Sequence, residues 1–358
     1  MRPTSATIHL GALRRNLARL RERAGAARVM AVVKADAYGH GLERVARALA
    51  DADAFGVASI ADGLRLRAAG HRQRIVVLSG PDSPADLAEV RRLDLDVVVH
   101  HEAQLGWLEA ARGAPVRVWL KVDSGMHRLG FPLEHAAAAH ARLAALPGVA
   151  DGIVLMTHFA ASDEFDNPLT AMQVEAFQRA TAGLAGPRSL SNSAALLGWP
   201  AARGDWVRAG GLLYGLSAIE GRPAAEFGFE PAMTLATRLV AVNPLRQGER
   251  VGYAATWQAP ADMVLGVAAI GYGDGYPRSA PSGTPVLVNG RRAAIVGRVS
   301  MDLVTIDLRS APDARVGDPV LLWGGALPVE TVAAAAGTIG YDLTCGMTRR
   351  VLFVEDEA

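Results

Sequence analysis

Eight short apolar runs alternate with helical patterns along most of the chain, and this alternation constrains the fold more than any other feature. The runs lie at residues 29–33, 55–58, 75–78, 97–99, 116–122, 153–156, 189–191 and 206–207. Helical patterns lie between them, for example at residues 13–23, 83–93 and 134–146. In the second of these, Ser83 as N-cap, Pro84 at the first helical position and Asp86 form a start signal. Runs that are apolar on both faces and alternate with helices predict an eight-stranded parallel (β/α) TIM-type barrel.

A different pattern begins after Pro231. Alternating or apolar runs joined by short turns lie at 235–242, 264–270, 285–288, 293–296, 304–308 and 320–323, with one helical stretch at 329–336. Asn289-Gly290 between two of the runs is a strong β-hairpin signal. At 358 residues the chain also exceeds the roughly 250–300 residues over which one core keeps growing. We predict a barrel domain over 1–230 and a mostly antiparallel β domain over 231–358, with the first strand, 7–10, able to join the second domain.

The composition narrows the class of ligand. Lys and Arg total 37 against 36 for Asp and Glu, a net charge of +1 that disfavours a nucleic-acid or anionic-membrane partner. The single cysteine, Cys345, excludes an internal disulfide and a cysteine-based metal cluster, so we expect no metal in the site. We see neither the apolar stretch of a signal peptide nor a run of the roughly 18 apolar residues that a membrane span needs. We therefore expect a cytoplasmic enzyme with a small-molecule substrate.

Lys34 stands where the first barrel run ends. It follows five apolar residues, three of them valine, and precedes a turn flanked by Gly39 and Gly41. Partial desolvation among the valines would lower the pKa of this lysine from about 10.4 and make its neutral amine a usable nucleophile, as a Schiff base requires. An isolated lysine at a strand end more often only extends into water. The residues after the other strands decide between the two interpretations.

Polar residues and glycines follow the other strands at the same end. The carboxyl ends of barrel strands meet at one mouth, where we expect Tyr38, Lys121, Arg128, His158, Ser193, Arg208, Gly210 and Gly211. Barrels tend to bind phosphate with the loops after strands seven and eight. Ser193 offers a hydroxyl there, and Gly210 and Gly211 allow close backbone approach. The pattern predicts a phosphorylated cofactor whose aldehyde meets Lys34.

The same segments resemble the alanine racemase family. The resemblance rests on residues 34–41, 121–128, 157–159, 191–193, 208–215, 251–253, 271–278 and 297–302, in this order along nearly the whole chain. The family's fold, a barrel followed by a β domain, agrees with the fold predicted above. The resemblance implies reversible interconversion of L-alanine and D-alanine on pyridoxal 5'-phosphate, which in bacteria supplies peptidoglycan or, in the opposite direction, D-alanine catabolism.

The resemblance also implies a role for each group in a two-base mechanism. Lys34 holds the cofactor as a Schiff base and acts on one face of the α-carbon, and Tyr253 acts on the other, because a proton removed from one side must return on the other. Arg208 faces the pyridine nitrogen and, since a guanidinium keeps its protons, leaves that nitrogen unprotonated, which favours racemisation over transamination. His158 and Arg208 stand beside the tyrosine.

Further residues are assigned by the same resemblance. Tyr38, Ser193, Gly210, Gly211 and Tyr341 match the phosphate-binding positions. Arg128 and the backbone N–H of Met301 match the groups that bind the substrate carboxylate, with Asp302 and Tyr272 in support. Lys121 matches a lysine that is carbamylated in many members.

In the family Tyr253, Tyr272 and Met301 come from the second subunit, which implies a homodimer with shared sites. Several positions depart from the common pattern: Ala209 replaces the usual proline, Gly211 replaces a larger apolar residue, Ala254 replaces a frequent glycine, and residues 349–352 lack the customary proline and arginine.

Three other functions share part of this pattern. A non-catalytic pyridoxal phosphate-binding protein would have the lysine and the phosphate cup, but its family ends with the barrel. A barrel-type decarboxylase has both domains but places an acid where this chain has Arg208. A racemase of broader specificity, for serine or basic amino acids, stays open; Tyr253 and Tyr341, if both crowd the α-substituent, favour a methyl group. Periplasmic enzymes of that kind also normally carry an export signal.

Overall fold

The barrel is built as the apolar runs predict. The computed structural model describes residues 2–219 and 221–358, in which the first strand, β1 (Ser5–His9), belongs to another sheet. The barrel strands are β2 (Arg28–Val32), β3 (Ala54–Val57), β4 (Arg74–Val77), β5 (Asp96–Val99), β6 (Val118–Lys121), β7 (Val154–Met156), β8 (Arg188–Ser189) and β9 (Trp206–Ala209). They are parallel, in the order β8-β7-β6-β5-β4-β3-β2-β9. Backbone hydrogen bonds from Asp205 to Arg188 (2.8 Å) and from Arg208 to Ser191 (3.0 Å) bring the two ends of this sheet together.

One helix precedes the first barrel strand, and the others follow barrel strands. They are α1 (Leu10–Ala24), α2 (Lys34–Tyr38), α3 (Leu42–Ala48), α4 (Ile60–Ala68), α5 (Asp86–Arg92), α6 (Glu102–Ala110), α7 (Ala136–Ala144), α8 (Leu169–Ala180) and α9 (Ser193–Gly198). The predicted start of α5 is wrong, because this helix begins at Asp86 and its cap residue, Ala85, makes no side-chain cap hydrogen bond. The Asp86 carboxylate instead accepts hydrogen bonds from the amides of Asp82 and Ser83, both at 2.9 Å. These bonds hold residues 82–85 in a turn ahead of the helix.

Side chains fill the barrel interior from its amino-terminal end. The interior cluster consists of Met30, Val32, Ala54, Val76, Val98, Trp119, Val154, Met156 and Trp206. Trp119 and Trp206 pack edge to face with ring centroids 5.4 Å apart. Both lie near the start of their strands, so this end is filled with bulky aromatic residues. The active site is therefore expected at the opposite mouth, where the carboxyl ends of the strands meet.

The second sheet is antiparallel except at one edge. Its strands besides β1 are β10 (Met233–Leu245), β13 (Met263–Ala268), β14 (Pro285–Val288), β15 (Arg291–Val296), β16 (Val304–Asp307), β17 (Pro319–Trp323) and β18 (Leu352–Asp356), while β11 (Arg250–Val251) and β12 (Trp257–Gln258) form a separate pair. The predicted hairpin at Asn289-Gly290 joins β14 and β15, and both residues have positive φ. Helices α10 (Val329–Ala336) and α11 (Gly340–Cys345) complete this part.

Strand β1 links the two ends of the chain. It pairs with β10 in antiparallel fashion and with β18 in parallel, so it lies inside the second sheet while α1 continues directly into the barrel. The first strand therefore joins the second sheet, as the sequence allowed. Within residues 2–219 and 221–358, no helix is both long enough and apolar enough to cross a membrane.

Candidate functional site

Lys34 opens a turn of left-handed helix at the barrel mouth. The φ angles of Ala35, Asp36, Ala37 and Tyr38 lie between 52° and 55°. Such a conformation costs a non-glycine residue roughly 1–2 kcal/mol. Lys34 itself is exposed to the open mouth, whereas the sequence placed it among valines. Partial burial and the nearby Arg128 charge still lower the pKa of the Lys34 amine from its ordinary 10.5.

Arg208 is buried beneath the mouth, and both of its terminal nitrogens are hydrogen-bonded. Its guanidinium donates to the carbonyl and hydroxyl of Ser189, both at 2.8 Å, to the Thr157 carbonyl at 2.6 Å, and to the Leu190 carbonyl at 3.2 Å. It also lies 3.1 Å from Nδ1 of His158. Burial lowers the pKa of Arg208 to about 10, so it remains a cation at neutral pH.

His158 is held neutral by this arrangement. Burial and the adjacent Arg208 charge hold the pKa of His158 well below its usual 6.5. A guanidinium can only donate, so Nδ1 of His158 accepts the hydrogen bond and the ring hydrogen is on Nε2. The imidazole can therefore donate from Nε2 to an acceptor.

A second buried lysine, Lys121, lies at the end of β6. Its side chain is only 7% exposed. Burial, with help from the Arg208 and Arg128 charges, lowers the pKa of Lys121 to about 8. Arg128 follows in the loop after β6, where the Asp123 carboxylate accepts hydrogen bonds from the amides of residues 125, 126 and 127 at 2.9 to 3.1 Å. This loop brings Arg128 close enough to lower the pKa of both lysines.

Cations therefore dominate the mouth. Lys34, Lys121, Arg128 and Arg208 each lower the pKa of His158. Arg128 and Arg208 also lower the pKa of Lys34 and that of Lys121, and Lys34 further lowers the pKa of Lys121. In the described parts of the chain, neither lysine forms a side-chain ion pair with a carboxylate. Grouped cations without matching anions favour an anionic ligand such as a phosphate or a carboxylate.

Tyrosine hydroxyls and two glycines form a cup beside these cations. The Ser193 hydroxyl accepts a hydrogen bond from the Gly210 amide at 2.9 Å, so its own hydrogen is free to donate. A Cβ atom at Gly210 would lie 2.8 Å from the Tyr38 hydroxyl, and one at Gly211 would lie 2.2 Å from the Tyr341 hydroxyl. Only glycine leaves the backbone this close to both phenols.

The cup has the chemistry of a phosphate site. Burial raises the pKa of Tyr38 to about 12, so its hydroxyl stays protonated and can donate. In the described parts of the chain, no residue accepts a hydrogen bond from it. A 3-10 helix, Gly211–Tyr214, starts here, and its first N–H groups have no acceptor within the helix. The Tyr341 hydroxyl donates to the Ser217 carbonyl at 2.9 Å. This hydrogen bond must break before the hydroxyl can donate to a phosphate.

Three sequence-predicted residues lie in the second sheet domain and are exposed. Tyr253, Tyr272 and Met301 have exposed fractions of 66%, 38% and 52%. Hydrogen bonds from the amides of Tyr272 and Gly273 to the carbonyls of Ser300 and Met301, at 3.0 and 2.9 Å, hold two of these residues on adjoining loops. Within the described residues of one chain, no hydrogen bond or aromatic contact joins the three to Lys34 or Tyr38.

Asp302 fastens these loops. It forms ion pairs with Arg2, at 3.4 Å, and with Arg350. The same two arginines pair with the buried Asp274, at 2.8 and 3.2 Å, and Asp274 accepts a hydrogen bond from the Gly271 amide at 3.0 Å. These ion pairs connect the N-terminal residue Arg2 to both loops, so Asp302 helps to set the conformation of the loops.

The family follows from comparison with known proteins. The models of the alanine racemase N-terminal and C-terminal domains match residues 8–218 and 232–354. Over 347 residues the chain is 53% identical to the alanine racemase of Shewanella loihica and 54% identical to that of Shewanella baltica, covering 97% of each chain in both cases. The chain belongs to the alanine racemase family. Both this membership and the activity class that it carries, racemisation of alanine, are as the sequence predicted.

Solved structures of alanine racemases share the whole fold. The biosynthetic alanine racemase from Pseudomonas aeruginosa superposes with a TM-score of 0.97 at 46% identity, covering 99% of this chain and 100% of that one. The alanine racemase from Acinetobacter baumannii gives 0.94 at 35% identity, with the same coverage. The predicted combination of barrel and β domain is confirmed.

The sequence alone does not indicate a role for two residues near the cup. The Tyr214 ring stacks on Tyr38 with centroids 4.8 Å apart, and its hydroxyl donates to the Val32 carbonyl at 2.9 Å. His40 packs against Tyr214 at 4.7 Å. Both lie inside segments that carried the resemblance, but their side chains act on neighbouring residues, which a linear motif does not reveal.

Proposed function

We propose that the chain interconverts L-alanine and D-alanine with pyridoxal 5'-phosphate, in a homodimer whose sites combine Lys34 of one subunit with Tyr253 of the partner subunit. The observation that carries the proposal is the barrel mouth, where four cations adjoin a cup of tyrosine and serine hydroxyls. That set of groups suits a ligand with a phosphate at one end and a carboxylate at the other. Since one cysteine fits a reducing compartment, we propose a cytoplasmic location.

The residues of the mouth fit the cofactor. Tyr38, Ser193 and the backbone at Gly210 and Gly211 would hold its phosphate, and Tyr341 would join them by giving up its bond to Ser217. The Lys34 amine, whose lowered pKa makes the neutral form more available, would hold its aldehyde carbon. When bound, pyridoxal phosphate makes the α-hydrogen of an amino acid acidic by drawing electron density into its ring.

Two residues move the proton. Lys34 removes or returns it on one face of the α-carbon and Tyr253 of the partner subunit does so on the other, because inversion needs a donor opposite the acceptor. His158, neutral and carrying its hydrogen on Nε2, would donate to the phenol oxygen and stabilise the negative charge left when the proton has gone. Arg208 would face the ring nitrogen. Since it stays charged and has no proton to give, it favours return of the proton to the α-carbon.

Arg128 and the Met301 backbone N–H would bind the substrate carboxylate. An Arg128 beside two lysines is repelled by them, and a carbamate on Lys121 would replace that repulsion with an ion pair. We propose this modification because carbon dioxide adds to a neutral amine, and burial favours the neutral amine of Lys121.

The homodimer explains the exposed residues of the second sheet domain. Tyr253, Tyr272 and Met301, with Leu303 at 40% exposure, are large apolar side chains that a single copy of the chain leaves in contact with water. In a dimer this part of the surface would close over the partner's barrel mouth. In one direction the reaction would supply D-alanine for peptidoglycan. In the opposite direction it would convert D-alanine to L-alanine for catabolism.

The test is a chiral assay of the purified protein with the absorption spectrum recorded alongside. L-alanine, D-alanine, serine, lysine and arginine are each supplied with and without added pyridoxal phosphate. We expect cofactor-dependent racemisation of both alanine enantiomers and much slower turnover of the larger amino acids. Comparable turnover of serine or the basic amino acids would replace the alanine assignment with a broader one. Absence of cofactor binding would refute the proposal.

A further inference from the structure

The left-handed turn at Lys34 needs an external restraint. Four consecutive residues without a glycine among them adopt positive φ, a conformation that L-amino acids avoid. Within the turn the Gly39 amide donates to Ala35 at 3.0 Å and the Gly41 amide to Asp36 at 2.8 Å. These bonds close the turn, but the steric conflict of each Cβ remains, so contacts from outside must favour this conformation over its alternatives.

His40 supplies such a contact from beneath. Its imidazole is completely buried, and Nδ1 lies 2.9 Å from the Tyr38 carbonyl and 3.1 Å from the Ala37 carbonyl. Two carbonyl oxygens at one ring nitrogen require that nitrogen to carry the hydrogen. The imidazole therefore bonds two successive peptide groups of the turn and holds them on the same side.

The same imidazole is held by aromatic packing. Its ring lies 4.7 Å from Tyr214, which stacks on Tyr38 at 4.8 Å and is itself anchored to Val32 through its hydroxyl. Val32 ends the strand that leads to Lys34. Tyr38 is thus fixed through its backbone by His40 and through its ring by Tyr214.

Asp36 restrains the outer side of the turn. Its carboxylate accepts from the Leu42 amide at 3.1 Å, at the start of α3, and from Arg65 at 2.9 Å. Because this ion pair is exposed to solvent, its contribution is small. The buried imidazole is the stronger of the two restraints.

We propose that His40 is a positioning residue, which locks the left-handed turn and thereby sets Lys34 and Tyr38 at the spacing that the cofactor requires. The inference rests on the proposed function, in which the cofactor's aldehyde carbon and phosphate meet these two residues. A histidine that only fills the core would affect stability without a specific effect on cofactor binding. The two roles can therefore be separated.

The first comparison uses two buried histidines. His140 in α7 also bonds a backbone carbonyl, that of Ala185 at 2.9 Å, but lies outside the turn, so His140→Leu is the matched control. We expect both His40→Leu and His140→Leu to lower the melting temperature of the apoprotein. Only His40→Leu should weaken pyridoxal phosphate binding, by about tenfold, measured by titration of the apoprotein. His40→Asn, which keeps a donor near Nδ1, should recover part of the affinity.

The second comparison removes part of the steric conflict within the turn itself. Ala35 is exposed and has positive φ, so Ala35→Gly removes the steric conflict without removing packing. In the His40→Leu background it should restore cofactor affinity severalfold. The control is Ala88→Gly, at an exposed position in the ordinary helix α5, which should not restore it. If His40→Leu does not fold, the same comparison is made in His40→Asn.

The outcomes distinguish the inference from the proposed function. Failure of the unmodified protein to bind pyridoxal phosphate would remove the proposed function. If the unmodified protein binds it and His40→Leu binds equally well, or if Ala35→Gly restores no more affinity than Ala88→Gly, the positioning role of His40 is wrong while the proposed function stands.

Discussion

At the scale of single residues, the barrel mouth brings together amines whose charges oppose one another. Lys34 and Lys121 share the mouth with Arg128 and Arg208, and the pKa of each lysine is lowered first by burial and then by these charges. The consequence is chemical: the neutral amine, which is the nucleophile, becomes more available. The two lysines differ in access, since Lys34 is exposed to the mouth and Lys121 is buried.

We predict that Lys34→Ala loses the violet absorbance of the cofactor bound to lysine, because the only other lysine in the sequence, Lys121, lies buried at the end of β6. The measurement is the absorption spectrum of protein purified with pyridoxal phosphate. Borohydride reduction and peptide mass analysis of the unmodified protein then identify the attachment residue. Attachment at Lys121, or absorbance that survives in Lys34→Ala, would contradict the assignment.

We predict that Lys121 carries a carbamate whose amount rises with pH. At pH 7 an amine of pKa about 8 is roughly one tenth neutral, far more than an ordinary lysine, and carbon dioxide reacts only with that form. The modification should therefore grow as pH rises through 8 and decrease steadily as pH falls below it. Isotope-labelled bicarbonate followed by NMR measures it, with Lys121→Met as the control. A spectrum without a carbamate signal at pH 8 and above would rule the modification out.

At the scale of elements, the cup depends on a glycine that faces a tyrosine. A Cβ at Gly211 would lie 2.2 Å from the Tyr341 hydroxyl, a distance at which one of the two must move. We predict that Gly211→Ala displaces Tyr341, destabilises the protein by about 1–3 kcal/mol and weakens cofactor binding.

The control for this change is Gly106→Ala. Gly106 lies inside helix α6 with open space around its Cβ position, so alanine there should leave stability unchanged or slightly raised. Denaturant unfolding and cofactor titration are measured for both variants. Equal effects of the two substitutions would mean that the contact with Tyr341 does not matter.

The elements differ in how far the sequence predicts them. The barrel strands follow from apolar runs alone because both faces of each strand are buried. The left-handed turn after Lys34 does not, because alanine and tyrosine avoid positive φ and a single aspartate is a weak signal for it, so that only the flanking glycines indicated a turn. Strand β18 (Leu352–Asp356) also escaped prediction, because it is mostly exposed and is specified by pairing with β1 at the other end of the chain.

Prediction of the site from the sequence is limited in the same way. Lys34, Arg208 and Ser193 could be predicted to share one mouth, because Lys34 and Ser193 follow parallel strands and Arg208 lies near the end of another, all at the same end of the barrel. The hydrogen bond between Arg208 and His158, and the bond that holds Tyr341 to Ser217, depend on side-chain orientation across distant segments. Motifs do not contain that information.

At the scale of the whole molecule, the two residues proposed to move the proton lie in different parts of the chain, one in the barrel and one in the second sheet domain. Lys34 stands at the barrel mouth, while Tyr253 stands on the second sheet domain with most of its side chain exposed. In the proposed mechanism, the proton acceptor and donor on opposite faces of one carbon would therefore come from two copies of the chain, each completing the other's site.

Subunit complementation tests this claim most directly. Lys34→Ala and Tyr253→Phe each disable both sites of a homodimer, but a mixed dimer has one site that combines an intact Lys34 with an intact Tyr253. The two inactive variants are mixed in equal amounts, allowed to exchange subunits, and assayed for alanine racemisation, with native mass spectrometry to measure mixed dimers. Random exchange predicts recovery of about a quarter of the wild-type activity. Mixed dimers that form but stay as inactive as the separate variants would contradict the shared site.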